Sequence, residues 1–343
     1  MRFPLALLVA TIALAASTET SVETLIATVR SAIQHHTADK SLAGNLRKLT
    51  LAEHPDLRTI EELESEGAGP ESVAALYDLS EFSADSKPAA TAPLKPPPPA
   101  PTIDEQRAAF REISRNALHY TAGLPDFICT ESIHRFTLTP DRFSLTYPPW
   151  KQKDALTVKL TYFGNHEKYE LTHINGHAAG RGYESSGGAV SEGDFGSMLL
   201  EIFVPESETK FLWDHYTLLR KRLTHVYSYR TLQEHSHFKI SIGATPDGRN
   251  TVIAGRHGFI YADAETRMVM RITGEAESIP TNFPITAQSN MVDYDMAEVG
   301  GRRILLPLRA EQRMKTPQLQ YKNVVDFHDY RKFTAESSIS FDK

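Results

Sequence analysis

The single cysteine and the histidines near it are the first residues in this chain that could carry chemistry. Cys129 lies between Ile128 and Thr130 in an apolar, strand-like run, and His119 and His134 are close in sequence. A thiolate nucleophile needs a base beside it and surroundings that lower its pKa. Proximity in sequence does not supply that geometry, so a buried structural cysteine is the preferred interpretation of Cys129.

Two histidine pairs have spacings that could suggest a metal site. His35 and His36 are adjacent on a predicted helix and diverge by about 100°, so one ion cannot easily take both. His235 and His237 would share a strand face, which is better geometry. Because a structural zinc site needs four ligands, two histidines do not make one. We therefore expect no metal and no cofactor.

Paired carboxylates are a third candidate for chemistry. Asp293 and Asp295 have the spacing of two acids on one strand face, which a glycosidase could use, but a solvated outer face explains them as well. Seven glycines between residues 176 and 196 indicate a surface loop, or a lid over a cavity. We expect a protein that is not an enzyme. A hydrolase with a site under this loop, dependent on Cys129 or His237, is an alternative.

The stretch from Asn250 to Leu308 indicates the element that would position any site. Apolar residues alternate there with period two, which is typical of strands with one apolar face. The alternating sets are Met268, Met270 and Ile272, then Val292, Tyr294 and Met296, then Ile304, Leu306 and Leu308. Residues 263–266 and Gly300-Gly301 separate the runs, so the pattern predicts antiparallel strands joined by short turns.

A helix should cover the apolar face of these strands. Thr102 to Glu105 form a capping-box pattern, and the helix that follows places apolar residues on one face. These are Phe110, Ile113, Ala117, Leu118 and Tyr120. The fold class predicted is α+β: a large curved antiparallel sheet, or half-barrel, of about 10–12 strands wrapped on a helix, preceded by a small all-α region and a Pro-rich linker.

Composition divides the chain into four segments. Residues 1–17 have a positive start and a short apolar run typical of a signal peptide, and residues 18–85 have the pattern of a small acidic helical domain. Residues 86–102 are a proline-rich linker, and residues 103–343 form the β domain. We predict a periplasmic or secreted protein that is not an integral membrane protein. A net charge of −6 argues against nucleic acid as a partner.

Three motifs of the β domain resemble a known superfamily. They are the run from Gly258 to Asp263 followed by Thr266, then Val269-x-Arg271-Ile272, then Gly301-x-x-Ile304-Leu-Leu-Pro307. Residues 103–343 are similar in these motifs to the LolA and LppX superfamily of periplasmic lipoprotein carriers, which includes the sensor RseB. The chain also resembles long exported proteins of soil bacteria. The superfamily resemblance implies a half-open barrel whose concave face holds acyl chains or hydrophobic peptide.

Apolar residues on alternating strand positions are the candidates for lining such a cavity. They are Trp213, Tyr227, Tyr229, Phe259, Tyr261, Met268 and Met270. These residue types adapt to acyl chains of variable shape, but they suit a core packed on the 104–120 helix equally well. Two non-enzymatic functions therefore stay open. One is binding of lipid, acyl chain or a lipidated partner, and the other is docking of another exported protein through the acidic helical region.

Overall fold

The computed structural model describes residues 19–89, 98–140, 149–164, 166–180, 182, 197–241 and 251–333. These residues divide into two compact units, 19–89 and 98–333. The signal peptide predicted at 1–17 lies outside the described residues, as do residues 90–97 of the predicted linker. The predicted domain boundaries stay a prediction.

The first unit consists of four helices with a core of their own. They are α1 (Val22–Gln34), α2 (Asp39–Leu46), α3 (Leu57–Glu66) and α4 (Pro70–Phe82). Their apolar stripes meet in one cluster of buried side chains that includes Leu25, Leu46, Ile60, Leu63 and Leu76. Pro70 occupies the first turn of α4, where a missing N–H costs nothing. The cluster supplies the hydrophobic stabilisation that short helices lack alone.

The sequence from Thr59 to Glu62 has a capping-box pattern, which predicts a helix that begins after Thr59, but α3 begins earlier. Asp56, not Thr59, caps the helix, and its carboxylate accepts a hydrogen bond from the Thr59 backbone N–H at 2.8 Å. The helix therefore begins at Leu57. Gly67 ends it in the left-handed conformation (φ 119°), which a residue without Cβ adopts at low cost.

The second unit begins with α5 (Ile103–His119), and here the predicted capping box is present. The Glu105 carboxylate accepts from the Thr102 backbone N–H at 2.7 Å, and the Glu105 N–H donates to the Thr102 hydroxyl at 3.3 Å. These two bonds satisfy donors that a helix N-terminus otherwise leaves unpaired. Ala109, Ile113 and Ala117 are buried on one face of this helix.

Eleven antiparallel strands of the second unit form one open sheet, in the order β4-β3-β2-β1-β13-β12-β11-β10-β9-β6-β5. The strands are β1 (Phe127–Leu138), β2 (Lys151–Phe163), β3 (His166–Ile174), β4 (His177–Ala178), β5 (Lys210–Leu219), β6 (Arg222–Thr231), β9 (Gly255–Asp263), β10 (Val269–Glu277), β11 (Ala287–Val299), β12 (Arg302–Lys315) and β13 (Gln320–Lys332). A separate hairpin pairs β7 (Lys239–Ser241) with β8 (Thr251–Ile253), and α6 (Ser197–Phe203) precedes β5. The α+β class and the strand number are confirmed.

Two of the hairpin turns follow from their sequences. Gly300 and Gly301 join β11 to β12 with φ values of 58° and 78°, the pair of positive values that a type I′ turn needs. Between β9 and β10, the Asp263 carboxylate accepts from the backbone N–H groups of Glu265 and Thr266 at 3.1 and 2.7 Å. Both turns were predicted.

Hydrogen bonds attach α5 to several strands of the sheet. The Tyr227 hydroxyl of β6 donates to the Gln106 carbonyl at 3.1 Å, near the start of the helix. The Asn116 side chain donates to the Arg267 carbonyl, in the β9–β10 turn, at 3.2 Å. The Tyr120 hydroxyl donates to the Leu305 carbonyl of β12 at 3.0 Å. The sheet therefore wraps on this helix, as the sequence predicts.

Within the stretch from Asn250 to Leu308, bulges interrupt the period-two pattern at two positions. In β12, Arg309 pairs with Asp293 of β11 and Pro307 pairs with the next residue, Tyr294. Leu308 therefore has no pairing partner on β11, and it is 43% exposed. The predicted alternation of Ile304, Leu306 and Leu308 is therefore wrong at Leu308. A second shift lies in β10 between Val269 and Arg271. A bulge inserts one residue and moves the following side chains to the other face.

The carboxylate pair of β11 is not the solvated pair that the sequence suggests. Asp293 is buried, and its two oxygens accept from the buried Arg271 guanidinium at 2.7 and 3.0 Å. Arg220 adds a third hydrogen bond to Asp293 at 3.0 Å. Burial alone would raise the pKa of Asp293, but the two guanidiniums outweigh it and hold that pKa below its usual value. Asp293 is thus a buried counterion.

Replacing Asp293→Asn should destabilise the fold strongly. Asn keeps the shape but leaves the buried Arg271 without its counterion, a change that costs about 3–5 kcal/mol. The free energy of unfolding from urea denaturation measures it.

Asp295→Asn is the matched control, since Asp295 is a half-buried acid on the same strand whose carboxylate lies 3.6 Å from the Arg220 guanidinium. It should change the free energy of unfolding by less than about 1 kcal/mol. Equal losses for the two variants would contradict the assignment of Asp293 as a buried counterion.

Candidate functional site

The face of the sheet toward α5 carries an aromatic row on β5 and β6. Tyr227 lies opposite Trp213 of β5, and Tyr229 lies opposite Phe211. Residues directly opposite on antiparallel strands share a face, so all four side chains are on the side of α5. Tyr227 and Tyr229 are buried, whereas Trp213 is half-buried.

Phe110 of α5 packs directly against this row. Its ring centroid is 4.8 Å from that of Phe211 and 5.3 Å from that of Tyr227. Phe203 of α6 joins the group, 4.9 Å from Phe211. Close, tilted or offset ring pairs of this kind stabilise a core beyond the area they bury. The inner part of the row is therefore filled by the protein's own side chains.

The same face is less covered toward the β5–β6 turn. Leu218 of β5 lies opposite Leu223 of β6, and these leucines are 43% and 39% exposed. Tyr216 lies between them and Trp213 and is half-buried. The aromatic row therefore continues into an apolar edge that solvent reaches.

Phe259 and Tyr261 lie on the opposite face of the sheet. Across the β6–β9 ladder Phe259 pairs with Ser228 and Tyr261 pairs with Val226, which alternate with the buried tyrosines of β6. Tyr261 is fully buried beneath the Arg271 guanidinium, 5.7 Å from its ring centre. These two predicted lining residues therefore do not lie beside Tyr227 and Tyr229.

The two methionines are separated by the start of β10. Met268 is half-buried just before the strand and packs against the main core. Met270 is buried at the bulge, where its carbonyl accepts from Arg220 at 3.3 Å. Of the seven predicted residues, the structure brings Trp213, Tyr227 and Tyr229 together on one face, and their role as cavity lining stays a prediction.

His225 and Arg267 are polar residues of this face that sequence reasoning missed. His225 is buried, and its Nε2 is 3.0 Å from an N–H of Arg267. The Arg267 guanidinium is in turn 3.5 Å from the Glu112 carboxylate of α5. A histidine in the alternating run from Leu223 to Tyr229 was the signal that could have found the site.

The contacts of His225 decide its protonation. Burial and, secondarily, the positive charge of Arg267 lower the pKa of His225 to about 4, so its ring is neutral at pH 7. Because a guanidinium only donates, Nε2 must be the acceptor and Nδ1 carries the proton. That Nδ1–H has no acceptor among the described residues, and neither has the buried Nε1–H of Trp213.

The other candidates for chemistry lie apart from this site. Cys129 is buried on β1, where burial and then the charge of Glu131 raise the pKa of its thiol and keep it protonated. Within the described ranges, no group of three or more His, Cys, Asp or Glu could hold a metal ion. Most of the glycine-rich loop at 176–196 lies outside the described residues.

None of the helices in the described segments is both long enough and apolar enough to cross a bilayer.

No family model matches the chain, and no curated protein matches it. Among solved structures it is similar to a LolA superfamily protein from Nitrosomonas europaea (10% identity, 67% of this chain, 96% of that chain, TM-score 0.35). It is also similar to a DUF1329 family protein from Desulfovibrio piger (8% identity, 68% of this chain, 94% of that chain, TM-score 0.29). A third similar structure is a domain described as a putative outer membrane lipoprotein-sorting protein from Vibrio parahaemolyticus (8% identity, 68% of this chain, 95% of that chain, TM-score 0.30). The superfamily that the sequence motifs resemble is thus represented among these structures.

The pKa of His225 predicts a pH-dependent stability. Between about pH 6.5 and 4 the unfolded chain binds a proton at His225 and the folded chain does not, so stability falls as pH is lowered through this range. Urea denaturation should show about 1–2 kcal/mol of this loss between pH 7 and 5, and His225→Gln should lack it.

His177→Gln serves as the control, because His177 is an exposed histidine on β4. This variant should keep the pH dependence of the wild type. A wild-type pH dependence that survives in His225→Gln would show that another group causes it.

Proposed function

We propose that the chain is an exported, non-enzymatic protein that binds the acyl chain of a lipid or lipidated partner on the α5-facing side of the sheet, beside the β5–β6 hairpin. The observation that carries this proposal is the apolar edge at Leu218 and Leu223, which continues a buried aromatic row. A periplasmic or secreted location agrees with the apolar run that follows Arg2.

Physical chemistry favours an apolar occupant at this edge. Single exposed leucines are common on protein surfaces, but here two lie opposite each other, next to the half-buried Tyr216 of the same face. Covering apolar surface stabilises a complex by about 25 cal/mol per Å². Met and aromatic side chains adjust to chains of different shape, which suits a variable acyl ligand.

Co-purified ligand tests this function. Native mass spectrometry of freshly purified full-length protein should show bound lipid, and the protein should take up a dansyl-labelled fatty acid with a rise in fluorescence. Protein that emerges without lipid and fails to bind the fatty acid would contradict the proposal.

A pair of leucine variants on β5 locates the site. Leu218→Ser should weaken binding of the dansyl fatty acid several-fold, because it removes apolar contact on the α5-facing side. Fluorescence titration measures the change.

Leu212→Ser is the matched control, since Leu212 is 71% exposed on the same strand but lies opposite Ser228, on the other face. It should bind the probe as the wild type does. If both variants lose affinity equally, the ligand does not lie on the α5-facing side.

The helical unit supports a second candidate function. Residues 19–89 enclose their own apolar core, so this unit can act as a module for docking another exported protein. Deleting residues 18–101 discriminates the two functions. If the shortened protein no longer captures a partner but still takes up the fatty acid, the helical unit is the docking module. If it still captures the partner and loses only fatty-acid uptake, the helical unit is not the docking module.

A further inference from the structure

Two buried N–H groups of the α5-facing side lack acceptors among the described residues. They are Nε1–H of Trp213 and Nδ1–H of His225. A buried donor left without a partner costs about 1–3 kcal/mol, so native structures seldom keep two together. An unpaired donor at a binding surface is explained if a ligand supplies the acceptor.

The two donors are neighbours on the sheet. Trp213 lies opposite Tyr227, and Tyr216 lies opposite His225, so Trp213 and His225 are diagonal across β5 and β6. The Tyr216 ring is in contact with both, with its centroid 5.6 Å from that of Trp213 and 4.7 Å from that of His225. The donors therefore flank one aromatic ring, next to the exposed Leu218.

The surroundings of His225 hold its donor in place. Arg267 donates to Nε2 at 3.0 Å, which keeps the proton on Nδ1. The Asn116 side chain of α5 donates to the Arg267 carbonyl at 3.2 Å and fixes the turn that carries this residue. The donor is thus oriented before any ligand arrives, which reduces the entropic cost of binding.

We propose that Trp213 Nε1–H and His225 Nδ1–H bind the carbonyl oxygen at the head of the acyl ligand. This inference rests on the proposed function and names the chemical class of the ligand: an ester, amide or acid carbonyl at the end of a hydrocarbon chain. Both donors are neutral, and the nearby Arg267 charge is opposed by Glu112 at 3.5 Å, so a carbonyl suits the site better than a phosphate.

The probes are three compounds that share a twelve-carbon chain. Dodecanoic acid, methyl dodecanoate and dodecane compete against the dansyl fatty acid for the full-length protein. The acid and the ester carry a carbonyl oxygen and dodecane carries none. The carbonyl compounds should bind the wild type at least about fivefold more tightly than dodecane, since a net hydrogen bond contributes about 1 kcal/mol. A preference for the acid over the ester would identify a free fatty acid, and a preference for the ester would identify an acyl ester.

Two changes remove one donor each. Trp213→Phe removes Nε1–H but keeps an aromatic ring, and His225→Gln removes Nδ1–H while offering Arg267 an acceptor near the place of Nε2. Each should lower affinity for methyl dodecanoate about fivefold more than it lowers affinity for dodecane. His225→Asn places an amide N–H near Nδ1 and should retain the preference for the ester.

The controls separate binding from stability. Trp150 lies just before β2, beside Lys322 of β13 and several strands away from β5. Trp150→Phe makes the same chemical change there and should bind all three compounds as the wild type does. In ligand-free protein, Trp213→Phe loses no hydrogen bond to any described residue, so Tm should not fall through a lost hydrogen bond. If Trp213→Phe does not fold, the comparison of His225→Gln with His225→Asn tests the carbonyl site without it.

Different failures overturn different claims. If none of the three compounds displaces the probe and no probe binds, the proposed function fails and the inference with it. If the compounds bind but the wild type does not discriminate the ester from dodecane, the function stands and the carbonyl site fails. Equal loss of ester and dodecane affinity in Trp213→Phe and His225→Gln also overturns the carbonyl site.

Discussion

The second unit depends on covering a wide apolar sheet face with little helix. Eleven strands about 4.8 Å apart make a surface roughly 48 Å across, whereas the 17 residues of α5 extend only about 26 Å. The seven residues of α6 add roughly 10 Å. The Gln106 carbonyl accepts a hydrogen bond from β6, and Asn116 and Tyr120 donate hydrogen bonds to the β9–β10 turn and to β12, so the sheet wraps on α5. The cover does not reach the end of the β5–β6 hairpin, where Leu218 and Leu223 are exposed.

Local features of this fold were predictable because they depend on few neighbouring residues. The capping box at Thr102 needs only residues three apart, and the Gly300-Gly301 turn needs only backbone freedom at two positions. Strand number follows from counting alternating runs. The α+β class follows from adding those strands to a helix with one apolar stripe.

Registers across strands were not predictable from the same patterns. Whether Tyr261 shares a face with Tyr227 depends on how β9 aligns with β6, some thirty residues away in the chain, and alternation within each strand does not set that alignment. One bulged residue also reverses every later side chain, as at Leu308. The candidate site was therefore predicted as a set of residue types, of which only some lie together.

Buried polar residues were missed for a related reason. An acid alternating with apolar residues has the same local pattern whether water or a guanidinium faces it, and Arg220 reaches Asp293 from 73 positions away. The same holds for His225, because its hydrogen-bond partner Arg267 is 42 positions away in the chain. Sequence patterns detect where the apolar surface lies but not where polar groups within it find partners.

The position of β5 at the edge of the sheet is related both to the exposed leucines and to the two N–H donors that lack acceptors among the described residues. An edge strand has a neighbour on one side only, so side chains such as Trp213 meet fewer acceptors than those in the middle of the sheet. A hydrocarbon chain over Leu218 and Leu223 would exclude water from the same surface. A hydrogen bond to a carbonyl is stronger where water is excluded, so burial of the chain and pairing of Trp213 and His225 would reinforce each other. A ligand with both parts therefore fits this edge better than one with either part alone.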